Sequence, residues 1–375
     1  GVAGHLTIPG ATLEEWGDCG QCRDCFEPTF NMRPGGSAQY VLARGNFEGD
    51  EPRYAQMGFI ASSDNHTARP GTGYKEYSRR RMTEATGAES EVWRDRVLLE
   101  REPRSDQSVA LTRDDLLQRP PFAVVDLERQ ASFFVTGGLV AVHSASRRRE
   151  DIFEALDERH VYGTSGPRIL LWFDLVNTPR NPAPMGSDVR LGEAPRFVVR
   201  AVGSYRQRPG CPEWSTSSLS PERLEHLCAG ECYYPSDERL AIRRIEVVRI
   251  RPQLSDDEPL APLIEDVWRS FPCEPSPSGC TVEVEDEAFV EGERDVLYYV
   301  RAIQEPTPTI NARSLRCDER GCDRCYGDYR TAYDDDCLEE DEQRAWSSPI
   351  WIHFDASLVA PPSPDPAGLD PEVSR

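Results

Sequence analysis

The sequence predicts a mixed chain, α/β over residues 1–167 and an all-β sandwich over residues 168–355. Three observations carry that prediction. A strand–helix–strand pattern occupies residues 132–165. Short runs rich in β-branched and aromatic residues follow Arg168, and turn-rich, Cys-bearing stretches separate them. Alternation of strands and helices is the mark of an α/β sheet or barrel, whereas short strands at turn-punctuated intervals mark a sandwich.

Taken in order, residues 1 to about 57 read as irregular, with GATLEEW starting one short helix and residues 37–44 another. MGFIASSD (57–64) reads as a buried strand, because an apolar run ends in small residues and a polar loop. Residues 75–119 are strongly charged, with one helix near 112–118. SFFVTGGLVAV (132–142) is strand-like with a Gly-Gly interruption. Residues 147–159 form an amphipathic helix that should turn Ile152, Phe153 and Leu156 inward and Arg148, Arg149, Asp151 and Glu158 outward. HVYGTS (160–165) closes the unit as the next strand. The sandwich strands are then ILLWFDLV, RFVVRAV, AIRRIEVVRI, DVLYYVRAI and SPIWIHF, interrupted by Cys-rich insertions at 206–238, 253–281 and 305–346. Residues 356–375 hold five prolines and no aromatic residue, a composition expected of a disordered tail.

The net charge of −22, from 65 acidic against 43 basic residues, repels a phosphate backbone and argues against nucleic acid as a partner. No run of about 18 apolar residues could span a bilayer as a helix. The chain opens on Gly1 without a signal-like stretch, so a fragment or a processed chain is expected. Twelve cysteines, nine of them after residue 200, sit among Gly, Pro and Asp. The even count and loop settings favour disulfides and a periplasmic or extracellular location, with the pairing undetermined apart from a plausible local closure between Cys273 and Cys280. Cys19, Cys22 and Cys25 begin like a ferredoxin motif, but Thr29 stands where the fourth ligand is due. Cys317, Cys322 and Cys325 begin like a plant-type cluster with too short a step to Cys337, and a zinc knot is open to either group.

Asp64 and His66 carry the sharpest chemical signal. A carboxylate and an imidazole two residues apart in a strand-ending loop can turn toward one cation, and that donor set suits Zn, Mn or Fe rather than Ca. The surrounding GFIASSDNHTARPGTG resembles the motif of the family known as domain of unknown function 3604, which is placed in the PHP (polymerase and histidinol phosphatase) superfamily of metal-dependent phosphoesterases. The resemblance continues through GGLVAVHSASRRREDIFEALDERHVYGTSGPRI (137–169), YYVRAIQ (298–304) and AWSSPIWI (345–352). It implies that residues 1–167 are the C-terminal part of a PHP-type distorted β/α barrel holding divalent metal ions, with Asp64 and His66 as two ligands. In that superfamily an early His-x-His motif supplies further ligands. This chain has six histidines and no His-x-His. The missing N-terminal part of the same protein would have to provide it, and the fragment alone should be inactive.

With a complete site the expected chemistry is hydrolysis of a phosphate ester. Arg69 and Arg168 are the candidate phosphate-binding residues, since a guanidinium offers two parallel donors. His143, at a strand end, is the candidate proton donor or further ligand. Two alternatives stand beside this reading. In one, the barrel is degenerate and the sandwich binds a glycan or polymer on an aromatic platform drawn from Trp172, Trp214 or Trp268. In the other, the hydrolase acts on a sulfate or phosphonate ester.

Overall fold

The computed structural model describes residues 6–7, 38–49, 51–62, 75, 89–93, 109–110, 113–118, 138–178, 182–310, 315–318, 321–324, 329–332, 334–335 and 338–359. The elements that build the core are, in chain order, α1 (Ala38–Ala43), β1 (Leu139–Val142), α2 (Arg149–Asp157), β2 (Val161–Thr164), β3 (Leu170–Leu175), β4 (Ala183–Pro184), β5 (Asp188–Leu191) and β6 (Arg196–Val202). After them come β7 (Tyr205–Gln207), α3 (Glu213–Ser218), α4 (Pro221–Cys228), β8 (Pro235–Arg239), β9 (Ile242–Ile250), β10 (Ile264–Pro272) and β11 (Cys280–Glu285). The last three are β12 (Val296–Ile310), β13 (Leu338–Ser347) and β14 (Ile350–Phe354).

Two sheets pack face to face. The larger has eight strands in the order β10-β9-β12-β13-β2-β1, with β14 pairing both β12 and β5; the smaller has four, β11-β6-β3-β4. Period-two patterning decides which residues meet between them. In β3, Leu171, Phe173 and Leu175 alternate inward while Leu170, Trp172 and Asp174 are less buried. Phe173 stacks on Phe197 of β6 at 5.2 Å, and Phe197 reaches Tyr298 of β12 at 4.8 Å, so the aromatic contact runs from one sheet to the other. β12 is buried from Val296 to Gln304 because both of its faces are covered. Tyr298 and Val300 face the sandwich, whereas Leu297 and Tyr299 pack with Leu42 and Ala43 of α1 and with Met57 and Phe59. A strand of that kind reads as a continuous apolar run rather than an alternating one.

The expected strands after Arg168 are all present, and the short helices expected at 37–44 and 112–118 form over Ala38–Ala43 and Arg113–Gln118. Several features refine the expected arrangement or depart from it. First, β1 and β2 are antiparallel, Leu139 opposite Thr164 and Val142 opposite Val161, so the strand–helix–strand unit is not a parallel crossover. Second, β2 pairs with β13, Ala345 opposite Thr164, so main-chain bonding crosses the expected 167/168 boundary. Among the described residues there is mixed α/β structure with few helices and no closed barrel. Third, α2 buries Ala155 and half-buries Ile152 but leaves Phe153 68% and Leu156 44% exposed, so two of the three side chains expected inward are not. The small alanine allows the helix backbone close to the sheet, and the larger side chains flank that contact. Fourth, all three expected insertions contain ladder strands: β8 lies at the end of 206–238 and pairs with β7, β10 lies within 253–281, and β12 and β13 extend into 305–346. MGFIAS (57–62), expected as a buried strand, joins no ladder and is only partly buried, with Ile60 68% exposed.

Two disulfides are formed among the cysteines whose side chains are described. Cys273–Cys280 closes a seven-residue step as expected, joining the end of β10 in the large sheet to the start of β11 in the small one. Cys211–Cys232 closes the insertion that carries α3 and α4.

Candidate functional site

Asp64, His66 and Arg69 lie outside the described residues, which stop at Ser62 and resume at Lys75. Both flanks of that segment are tightly held. On the N-terminal side, the Gly138 N–H donates to the Ser62 carbonyl at 3.0 Å, and the Phe59 N–H donates to Ser348 Oγ at 3.0 Å. Ala61 fits against two glycines. A Cβ on Gly138 would lie 2.7 Å from the Ala61 methyl and 2.8 Å from the Ser62 nitrogen, and one on Gly163 would lie 3.0 Å from the same methyl. The glycine before β1 is therefore a packing requirement, because any side chain would collide with backbone as well as with a methyl group.

On the C-terminal side Lys75 is only 3% exposed. Its ammonium pairs with Glu231 at 2.7 Å and donates to the carbonyls of Gly210 and Cys232 at 3.0 and 2.8 Å. A buried lysine is tolerable when its charge is paired and its donors are used, which these three acceptors accomplish.

Arg168 stands at the same end of β2 as Ser62. The turn that presents it is set by local bonds. Gly166 N donates to Thr164 Oγ1 at 3.2 Å, Ser165 Oγ donates to Gln343 Oε1 at 2.7 Å, and Gly166 takes φ 126°, a region that only glycine occupies without strain. The Arg168 guanidinium lies 3.7 Å from the centre of the Tyr233 ring. With Pro167, Ser204, Tyr205, Gln207, Tyr233 and Leu240 it lines a shallow cleft of about 310 Å³, counting the space open to solvent. Tyr233 directly follows Cys232, whose carbonyl binds Lys75, so the cleft adjoins the second anchor.

His143 is elsewhere. The sequence implied that it shares a strand-end edge with the Asp64 loop. It follows the last residue of β1, and its N–H donates to the His160 carbonyl at 2.9 Å, whereas Ser62 meets Gly138 at the first end of the same strand. Its Nε2 is 2.8 Å from the Leu171 carbonyl, which can only accept, so that nitrogen carries a proton and is engaged with backbone. The ring rests between Tyr162 at 5.4 Å and Trp172 at 6.0 Å. Asp174 lies within its electrostatic reach. Burial pushes that carboxyl above the usual range, and the His143 charge opposes the shift.

A second histidine, passed over in the sequence, has the denser polar setting. His353 Nδ1 is 2.6 Å from Asp295 and Nε2 is 2.9 Å from Asp188, which also accepts from Gln56 at 2.6 Å. The hydrogen bond to Asp295 holds the imidazole pKa above its ordinary value, although burial opposes it. His353 is separated from Asp188 by 165 positions in the sequence, so no local spacing could have signalled the cluster; the parallel pairing of β14 with β5 creates it. The candidate tryptophans differ in their settings. Trp214 is 71% exposed on α3, Trp172 has Arg200 over its ring at 5.0 Å, and Trp268 has Arg249 at 4.6 Å and Arg269 at 5.0 Å.

Comparison with known proteins places residues 50–207 in a match to the family model described as "Protein of unknown function (DUF3604)". An uncharacterized protein of Chlamydia pneumoniae is 43% identical over 62 residues, a stretch covering 16% of this chain and 9% of that protein. The chain thus spans a small part of that relative's length. No solved structure matches the chain significantly. Among the described residues, no helix is long and apolar enough to cross a membrane.

Proposed function

We propose that this chain supplies one edge of a metal-dependent hydrolase acting on phosphate esters, with Asp64 and His66 as metal ligands and Arg168 facing the substrate. The observation that carries the reading is the shared location of the segment's first anchor and Arg168. Ser62 leads into the Asp64–His66 segment at the end of β2 where the Thr-Ser-Gly turn presents Arg168, and Lys75 ties the far end beside Tyr233. One carboxylate oxygen and one imidazole nitrogen are a fitting partial donor set for Zn, Mn or Fe, and upstream sequence would complete it. A bound divalent cation would supply Lewis acidity and a lowered pKa for coordinated water. The chain's own contribution is to fix the two ligands between rigid flanks and to offer guanidinium donors, Arg168 and Arg69, to phosphoryl oxygens. Stacking on Tyr233 limits the directions in which Arg168 can point.

In this reading the barrel contribution is confined to sequence before Gly138, since β1 and β2 are joined to the sandwich sheet. His143 serves to position strands rather than to transfer protons, because its Nε2 is committed to Leu171. The two disulfides favour a location outside the reducing cytoplasm, either periplasmic or extracellular. The test uses the full-length protein, a panel of phosphate, sulfate and phosphonate esters, and metal analysis. Asp64→Ala and His66→Ala are each expected to lower bound metal and to reduce phosphate-ester turnover by about 100-fold or more, since even residues behind the ligands cost about 10–100-fold. Unchanged metal content and turnover in both variants would remove these residues from the site.

A further inference from the structure

Beyond the proposed hydrolase site, the insertion between β6 and β9 brings three sulfur atoms together. Cys211 and Cys232 are disulfide-bonded, and Cys228 is a free thiol whose Sγ lies 3.4 Å from Cys232 Sγ and 3.9 Å from Cys211 Sγ. The three ligand atoms form a compact group with every cysteine half-buried. We propose that Cys211, Cys228 and Cys232, in their reduced form, are a tri-thiolate site for zinc, of which the disulfide is the oxidised state.

The placement of Cys228 favours this over simple disulfide exchange. A thiolate attacking one sulfur in line would sit about 2 Å farther from the leaving sulfur than from the one attacked. Cys228 is instead at nearly equal distances from both, beside the bond rather than beyond either end. Three sulfurs around one zinc at about 2.3 Å are separated by about 3.8 Å in tetrahedral geometry, and the two Cys228 separations bracket that value. Reduction frees the third edge to open to the same length.

The backbone suits the same task. Helix α4 ends at Cys228, and Ala229 at φ 49° and Gly230 at φ 76° curl the chain into a tight turn that returns Cys232 beside it. A cysteine thiol ionises when a cation takes the place of its proton. The Lys75–Glu231 ion pair adjoins the cluster through the Cys232 carbonyl, which lies 2.8 Å from the ammonium. Three protein ligands leave a fourth position for water or another ligand.

The conversion balances with a dithiol reductant. The Cys211–Cys232 bond breaks as the dithiol closes its own disulfide, two thiols form on the chain, and zinc binding then releases three protons. The experiment uses the full chain carrying Asp64→Ala and His66→Ala, so that metal at the proposed hydrolase site is not counted. Zinc uptake is measured before and after dithiol treatment, with cobalt as a spectroscopic probe for thiolate-to-metal charge transfer. Reduction should add one equivalent of metal and the charge-transfer band. Cys228→Ser should abolish both, as should the double variant Cys211→Ser/Cys232→Ser, while Cys273→Ser/Cys280→Ser keeps both, with circular dichroism confirming folding. No added metal on reduction, or equal uptake without Cys228, would overturn the proposal. So would peptide mapping of the untreated chain that finds Cys228 bonded to another cysteine.

Discussion

His353 shows how two carboxylates and one imidazole become a pH-sensitive clasp. Its pKa is raised in the fold by the Asp295 bond, so its stabilisation is fully present below the ordinary histidine value of about 6.5 and is lost as pH rises through the raised value. For Asp295, burial alone would raise the pKa, but bonds from His353 and the Phe354 N–H hold it below the usual range. Its contribution is therefore present above the ordinary aspartate value of about 3.9 and disappears as pH falls through the depressed value. The two windows overlap between about pH 4 and pH 6.5. The melting temperature of His353→Gln should fall furthest below that of the parent chain in this range and approach it in mildly alkaline buffer. A constant gap from pH 5 to pH 9 would contradict the assignment.

At the scale of elements, the outer face of the large sheet carries a charge network that links four strands. Arg301 of β12 is 5% exposed; its Nε donates to Glu246 of β9 at 2.9 Å and its guanidinium pairs with Asp266 of β10. Gln39 of α1 adds a donor to Asp266 at 2.7 Å, and Arg244 joins Glu246 to Glu342 of β13. Replacing Arg301 by Met keeps the bulk but leaves the buried Asp266 without its cation and Glu246 with Arg244 alone, a loss of about 3–5 kcal/mol that denaturant unfolding would register. A loss under about 1 kcal/mol would mean that the remaining donors suffice. The sequence shows YYVRAIQ as an apolar run with one arginine, which is enough to identify the strand. It does not show that Glu246 and Asp266, more than thirty positions away, supply the partners. α2 illustrates the converse. Its helical period is legible, but periodicity alone turns Phe153 and Leu156 inward along with Ile152, whereas the side chain the fold buries is Ala155, with Ile152 half-buried beside it.

For the whole molecule, the consequential feature is the ladder between β2 and β13. Ser347 opposes Tyr162 and Ala345 opposes Thr164, so residues on both sides of position 167 complete one sheet. Tyr162 also belongs to the sandwich core, and its hydroxyl donates to the Ile169 carbonyl at 3.0 Å. A chain beginning at Arg168 would expose the edge of β13 and remove a buried tyrosine, so it should aggregate or melt well below a chain beginning before Gly138. Equal melting temperatures for the two would show that the 167/168 boundary is a real one.

The sequence by itself determined the strands after Arg168, the short helices, the local Cys273–Cys280 closure and the choice of Asp64, His66 and Arg168 as residues to follow. Each of these rests on neighbours in the chain: period-two alternation, seven-residue spacing, a carboxylate and an imidazole two positions apart. Only the tertiary structure decided that β1 and β2 are antiparallel members of the sandwich sheet, and that His143 and Ser62 meet opposite ends of one strand. It alone showed that His353 sits between two distant aspartates and that Cys228 stands beside a disulfide. Those facts depend on which strand lies next to which. Strand adjacency is set by burial and ladder pairing across more than a hundred positions, which leaves no mark on local spacing.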